Sequence, residues 1–209
     1  MKLEKHIDGI YDVETWFKIR PPKKGGKQWA DGRSAKELAK YMTANLLSVP
    51  KELEDALKGV VSADAIFDWD AEYVTKLPGV GEGRNHDAIL YNEDIVVTIE
   101  AKADETLGEF IEKELQDISV NKLYRISNLL SCIFEGGFKE YKKLRYQLLT
   151  ASVGTILEAQ KRGCNKAVLL IGVFKRKGKV MEEKLLANDK DIEDFIKATN
   201  AYEEKGIYV

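Results

Sequence analysis

The sequence predicts an α/β fold, a mixed central sheet flanked by helices. Three observations predict it. A helix opens at Ser34. Three strands follow in close succession between Phe67 and Lys102. Helical patterns then carry the chain to a last, unbroken aliphatic strand at 166–174. Strands mixed with helical runs in this way belong to α/β domains.

The first stretch, to about Asp31, carries mixed signals, and its RPPKKGGK segment (20–27) is a breaker-rich basic loop. Ser34 is followed by Glu37 at capping-box spacing, and Leu38, Tyr41, Met42 and Leu46 continue a helical stripe. That helix should end near Leu47, ahead of Val49-Pro50, and a shorter one should run over 51–58 and stop at Gly59. In FDWDAEYVTKL (67–77), apolar side chains fall mostly on odd positions and charges mostly on even ones. This period of two marks a half-buried strand, with Asp68, Asp70 and Glu72 on its solvated face. The glycine-rich segment 78–83 precedes a strand rather than a helix, so it is read as a flexible flap and not as a phosphate loop. Strands are expected over 86–91 and 95–102, joined as a hairpin by Asn92-Glu93-Asp94. Helices are expected over 107–120, 121–133 and 141–161, with a break at Gly136-Gly137 and a stop at Gly163. The run 166–174 does not alternate, which suggests a strand covered on both faces, and a short helix is expected over 191–199. No composition shift divides the chain, so one domain is expected over 1–209, with its core at about 29–174 and the segments 1–28 and 175–209 peripheral.

Composition narrows the function. The chain has 209 residues, with 33 Lys and Arg against 35 Asp and Glu, a formal charge of −2. That balance excludes nucleic-acid binding by bulk charge but leaves a local basic surface open. Lys23, Lys24, Lys27, Lys175, Arg176 and Lys177 are candidates for the rim of a groove, although basic turns are more often simply solvated. Two cysteines and two histidines, without short ligand spacing, support neither a disulfide framework nor a zinc site. The longest apolar run, 167–173, is too short to span a bilayer, and the N-terminal segment has no signal-peptide core. A cytoplasmic protein without a membrane partner is the expectation.

The chemistry concentrates in RNHDAILYNEDIVVTIEAKADE (84–105). Within 95–102, alternation places Glu100 and Lys102 on one face at the end of the strand. The hairpin brings Asp87, at the start of the partner strand, close to Glu100. Two carboxylates suit a hard divalent cation, which activates water and polarises a phosphoryl oxygen, and a neighbouring lysine orients or deprotonates that water. The competing reading is a solvated charged face. His86 has no nucleophile partner and is read as structural.

Asp87, Glu100, Ala101 and Lys102 on a hairpin resemble the signature of the PD-(D/E)XK nuclease superfamily. The order helix, three-stranded meander, helix, strand matches that superfamily's restriction-endonuclease-like core, and Gln147 lies where its second core helix often carries a glutamine. More narrowly, segments 29–39, 85–90, 100–108 and 145–159 resemble a bacterial family of PD-(D/E)XK-like domains of unknown function. His86 stands where the superfamily pattern has proline. The resemblance implies a nuclease, hydrolysing phosphodiester bonds of nucleic acid with Mg²⁺ or Mn²⁺. Asp87 and Glu100 would hold the metal, and Lys102 and Gln147 would complete the catalytic set. It adds Glu37 as a helix-borne metal ligand, though closing the capping box is the favoured role for that residue. Arg33, at a helix entry, and Arg145 would bind substrate, each against the alternative of an ordinary structural charge. Glu105 would stand at the pocket rim or in a solvated turn. An inactive nuclease-fold module that binds nucleic acid or a protein is the alternative function, and a homodimer is compatible with either.

Overall fold

The computed structural model describes residues 1–6, 9–23, 25–116, 118–135, 138–175 and 179–199. Lys24, Arg176 and Lys177, and the Gly136-Gly137 break, lie outside the described residues. The described elements are β1 (Lys2–His6), α1 (Val13–Ile19), a short 3-10 turn (Gly25–Lys27), α2 (Ser34–Thr43), α3 (Lys51–Ala56), β2 (Ile66–Thr75), β3 (Arg84–Tyr91), β4 (Ile95–Lys102), α4 (Ile111–Glu114), α5 (Val120–Ser131), α6 (Phe138–Tyr141), α7 (Tyr146–Arg162), β5 (Lys166–Val173) and α8 (Lys179–Ala198).

The strands form one sheet in the order β1-β2-β3-β4-β5. Its centre, β2-β3-β4, is antiparallel, and β1 and β5 add to its two sides in parallel. The parallel joins require crossovers, which α1 to α3 and α4 to α7 supply. The expected strands are present, with β4 at its expected bounds, but the helix expected over 107–120 is reduced to the single turn α4, and the helix expected from 141 begins at Tyr146. Two expectations at the ends change. The N-terminal segment supplies an edge strand and a helix whose Trp16 packs on Trp69, ring centroids 5.6 Å apart. The last helix runs from Lys179 and not from Asp191.

On one face of the sheet, α1, α2 and α3 bury Trp16, Leu38, Met42 and Leu53 against Phe67, Trp69, Ala88, Leu90, Val97 and Ile99. On the other face, α5, α7 and α8 bury Ile126, Leu129, Leu148, Leu149, Val153 and Phe195. Each such side chain contributes about 1.5–3 kcal/mol of burial. Every residue of β4 is buried, because this strand lies between two others with helices over both faces. The unbroken aliphatic pattern of β5 has a different setting: β5 is an edge strand, and only its Val168 is fully buried.

The alternation read in 67–77 breaks in the middle of β2. Phe67, Trp69 and Ala71 join the core under α1 to α3, whereas the Tyr73 hydroxyl donates to Glu158 on α7, on the opposite face. The partner strand changes faces at the same step. Ala88 and Leu90 lie in the first core, but His86 sits against Gly154 of α7. Glu72 and Asp87 face each other at this step, between the pairs Ala71↔Ala88 and Tyr73↔His86. Glu72 has φ 47°, the one positive value outside glycine among the described residues. Such a backbone costs about 1–3 kcal/mol and persists only where its surroundings impose it.

Candidate active site

The sheet opens where the strands change faces. Pairing of β3 with β4 runs from Tyr91↔Val96 to Ala88↔Ile99 and stops, so Asp87 and Glu100 occupy the next position of the same register without a backbone ladder between them. The Ala101 amide, deprived of a strand partner on that side, donates instead to Asp87 Oδ2 at 2.7 Å. A buried amide must find an acceptor, and this one fixes the aspartate beside the glutamate. Glu100 is 3% exposed and Lys102 4% exposed. Lys102 Nζ donates to Glu100 Oε1 at 2.7 Å, as the i,i+2 alternation of a strand allows. Gln147, in the first turn of α7, donates its side-chain amide to the same oxygen. Arg84 donates to the other oxygen, Oε2.

Asp87, Glu100, Lys102 and Gln147 therefore converge, and they line one cavity of about 440 Å³ together with Arg33, Ser34 and Glu105. A larger cavity of about 1110 Å³ adjoins it and shares Gly108 and Gln147; Glu72, Arg84 and Lys23 are among its lining residues.

The electrostatics of the two central carboxylates diverge. Burial pushes Asp87 well above the usual carboxylate range, and the charges of Glu100 and Glu72 push it further. Burial would also raise Glu100, but the Arg84 and Lys102 cations outweigh it and hold Glu100 below its ordinary value. Glu72 is pushed up to about 7 by burial, against a 2.5 Å hydrogen bond from Asn85 Nδ2. Of these three acids, Glu100 is the one held ionised by its own cations, and the group is short of positive charge.

The remaining sequence candidates divide. Arg33 lines the cavity and forms a bidentate pair with Asp104, at 2.9 and 2.8 Å. Glu37 does not join the Asp87 pocket. Its Oε1 accepts from the Gly32 amide at 2.6 Å and from Lys40 at 3.0 Å, and it borders a separate cavity under α2 and β5. The Ser34–Glu37 capping box is also absent, because Arg33 is the N-cap and the Ser34 hydroxyl turns to Glu105. Glu105 is thus part of the pocket wall and not a solvated turn. Arg145 points away from both cavities. Its guanidinium donates to Asp191 Oδ2 at 2.7 Å and to the Gly108 carbonyl at 2.6 Å, and it lies over the Phe110 ring. That makes it a tie between α7, α8 and the loop after β4.

Three supports were not visible in the sequence. Arg84 and Glu72 reach the site only because both strands change faces. On α8, Asn188 donates to the Glu105 carbonyl at 3.0 Å and accepts from the Leu107 amide at 3.2 Å, anchoring the loop that carries Glu105. Two expectations also fail nearby. Asp70 on β2 is 3% exposed and not solvated. The segment 78–83 is tied down, since Arg125 of α5 donates to the Val80 and Glu82 carbonyls. Lys23 lines the larger cavity, largely exposed, and pairs there with the equally exposed Glu82. His86, read as structural, packs against Gly154 of α7. It is fully buried, and burial lowers it to about 3, so it stays neutral.

The donor set fits a hard divalent cation. Asp87 and Glu100 offer oxygen ligands, and the acid surplus favours a cation. Among the described residues no three His, Cys, Asp or Glu side chains are arranged as a metal-holding group. One or two carboxylates completed by water and substrate oxygens is the usual Mg²⁺ arrangement. Among the described residues, no helix is long and apolar enough to cross a membrane, and Cys132 and Cys164 are free thiols.

The chain belongs to the family described as Domain of unknown function (DUF6946), whose model matches residues 10–209. No curated protein and no solved structure matches it.

Proposed function

We propose that this protein is a Mg²⁺- or Mn²⁺-dependent nuclease with a restriction-endonuclease-like core of the PD-(D/E)XK type, acting in the cytoplasm. The observation that carries this reading is the convergence of Asp87, Glu100, Lys102 and Gln147 on one cavity, where β3 and β4 part. The order α2, β2-β3-β4, α7, β5 supports the same core.

Asp87 and Glu100 would hold the cation, which supplies Lewis-acid polarisation of a phosphoryl oxygen and a more acidic water. Each residue of the chain then has a definite task. The Ala101 amide fixes Asp87 with one oxygen turned away from the backbone. Lys102 is anchored on Glu100, which places its ammonium where it can orient the attacking water or stabilise charge on the phosphoryl group in the transition state. Gln147 spans both cavities and is set to position water or a phosphate oxygen. Arg33 stands at the mouth for a backbone phosphate, once it gives up Asp104.

The test is cleavage of DNA and RNA substrates by purified protein with Mg²⁺ or Mn²⁺, compared with Lys102→Ala. The nuclease reading expects activity in the wild type and its loss in the variant. Identical behaviour of the two on every substrate sinks it. One observation favours a second reading, a nuclease-fold module that binds nucleic acid or a protein without cutting it: Glu100 is already satisfied by Arg84, Lys102 and Gln147. Binding of nucleic acid with no cleavage under any cation is the outcome that selects it.

A further inference from the structure

Among the described residues, Arg84 is the cation that reaches Glu100 from the second cavity. Its Nη2 donates to Glu100 Oε2, while the residue itself lines the larger cavity beside Glu72 and Gln147. Its side chain is 14% exposed, and its Nε is buried without a hydrogen-bond partner. A guanidinium presents five N–H donors in a planar fork suited to phosphate oxygens. Here part of that fork is spent on Glu100, and a buried donor beside it is unspent.

The charge balance explains why arginine stands there. Counted fully ionised, Glu72, Asp87 and Glu100 carry three negative charges against two side-chain cations, Arg84 and Lys102, a deficit that Asp87 and Glu72 meet by holding their protons more tightly. A divalent ion on Asp87 and Glu100 converts that deficit into a surplus of one positive charge. A phosphodiester carries one negative charge, and the mobile partner for it is the cation whose carboxylate has just been taken over. Lys102 is the less mobile of the two, because its side chain is 5% exposed against 14% for Arg84, which also borders the second cavity.

We infer that Arg84 is a further substrate-binding residue: it neutralises Glu100 when no divalent ion is bound, and it transfers its guanidinium to the substrate phosphodiester when one is. The inference rests on the nuclease reading above and extends it to a residue outside the signature. It makes an unusual demand, that the arginine and the divalent ion compete for one glutamate. Removal of the arginine should therefore strengthen ion binding while weakening nucleic-acid binding.

The experiment titrates Mn²⁺ calorimetrically into the full chain as wild type, Arg84→Met and Arg84→Lys, with thermal melts to show that each folds. Anisotropy of a labelled mixed-sequence oligonucleotide, as DNA and as RNA, is measured in Ca²⁺ on the same proteins. In Arg84→Met, Mn²⁺ should bind about tenfold tighter, because a cation that competes for Glu100 and repels the ion is gone. The same variant should bind the oligonucleotide about tenfold more weakly. Arg84→Lys keeps the charge but not the fork, so it should stay near wild type for Mn²⁺ and lose severalfold for the oligonucleotide; it decides the question if Arg84→Met does not fold. Unchanged or weaker Mn²⁺ binding in Arg84→Met overturns the competition. Wild-type oligonucleotide affinity in Arg84→Lys overturns the phosphate contact. A wild type that binds neither Mn²⁺ nor oligonucleotide overturns the nuclease reading itself and this inference with it, a result distinct from the other two.

Discussion

Two buried glutamates contact α7, and they teach different lessons. Glu158, on α7 and 1% exposed, accepts from the Tyr73 hydroxyl at 2.8 Å and from Arg162 Nε at 2.8 Å, with Lys161 close by. Glu100, on β4 and reached by the first turn of α7, is 3% exposed and accepts from Arg84, Lys102 and Gln147. As isolated side chains they look alike. Burial would raise both, and hydrogen bonds and cations hold both below the ordinary carboxylate value. Their neighbours separate them. The Glu158 network is closed, with two cations and a phenol around one acid. Glu100 has two further carboxylates beside it, Asp87 and Glu72, both driven upward, and it borders a cavity. A buried, well-paired acid is thus weak grounds for function, whereas an acid surplus at a cavity makes a stronger candidate for a functional site.

The contrast breaks most sharply at Lys102. Lys102→Ala should lower cleavage by about 10²–10⁴-fold, the range for loss of a general acid–base or charge-stabilising group, read from single-turnover rates. Glu158→Gln should act on stability alone. The cations left behind reach solvent, so the loss should be about 1–3 kcal/mol, measurable by urea melts, and cleavage per folded molecule should be unchanged.

Glu72 sharpens the comparison through pH. Its folded-state value is raised, so the stability it contributes is complete below the unfolded value of 4.5 and is lost as pH rises through about 7. Glu72→Gln removes the ionisation. The variant should match wild type near pH 4 and exceed it by up to about 3 kcal/mol near pH 8, in melts without divalent ions. A smaller effect is expected at Gly154, where an added Cβ would come within 2.8 Å of His86 Nε2. Gly154→Ala should destabilise by about 1–3 kcal/mol through overpacking, and so disturb the seat of β3 on α7 before it disturbs the carboxylates.

Much of this arrangement was legible in the chain. The helix start at Ser34, the alternation in 95–102 and the short polar link at 92–94 set the order of elements and placed Asp87 beside Glu100, because hairpin register is local information. Lys102 followed from the same alternation. The failures share a different cause. Glu72 and Arg84 depend on a change of face shared by two paired strands, and period-two patterning carries no sign of it, since Tyr73 is apolar and suits either side. Glu37 and Arg145 were judged by residue type on a helix, yet a Gly32 amide and an Asp191 far away in the chain decide what they touch. The role of α8 was hidden because Asn188 does its work through backbone groups of the 105–107 loop.

The most direct test of the account is a calorimetric titration of Mn²⁺ into wild type, Asp87→Asn and Glu158→Gln. The account predicts one ion bound by wild type, binding lost in Asp87→Asn, and binding retained in Glu158→Gln. Equal binding by wild type and Asp87→Asn would contradict it, as would loss of the ion in Glu158→Gln.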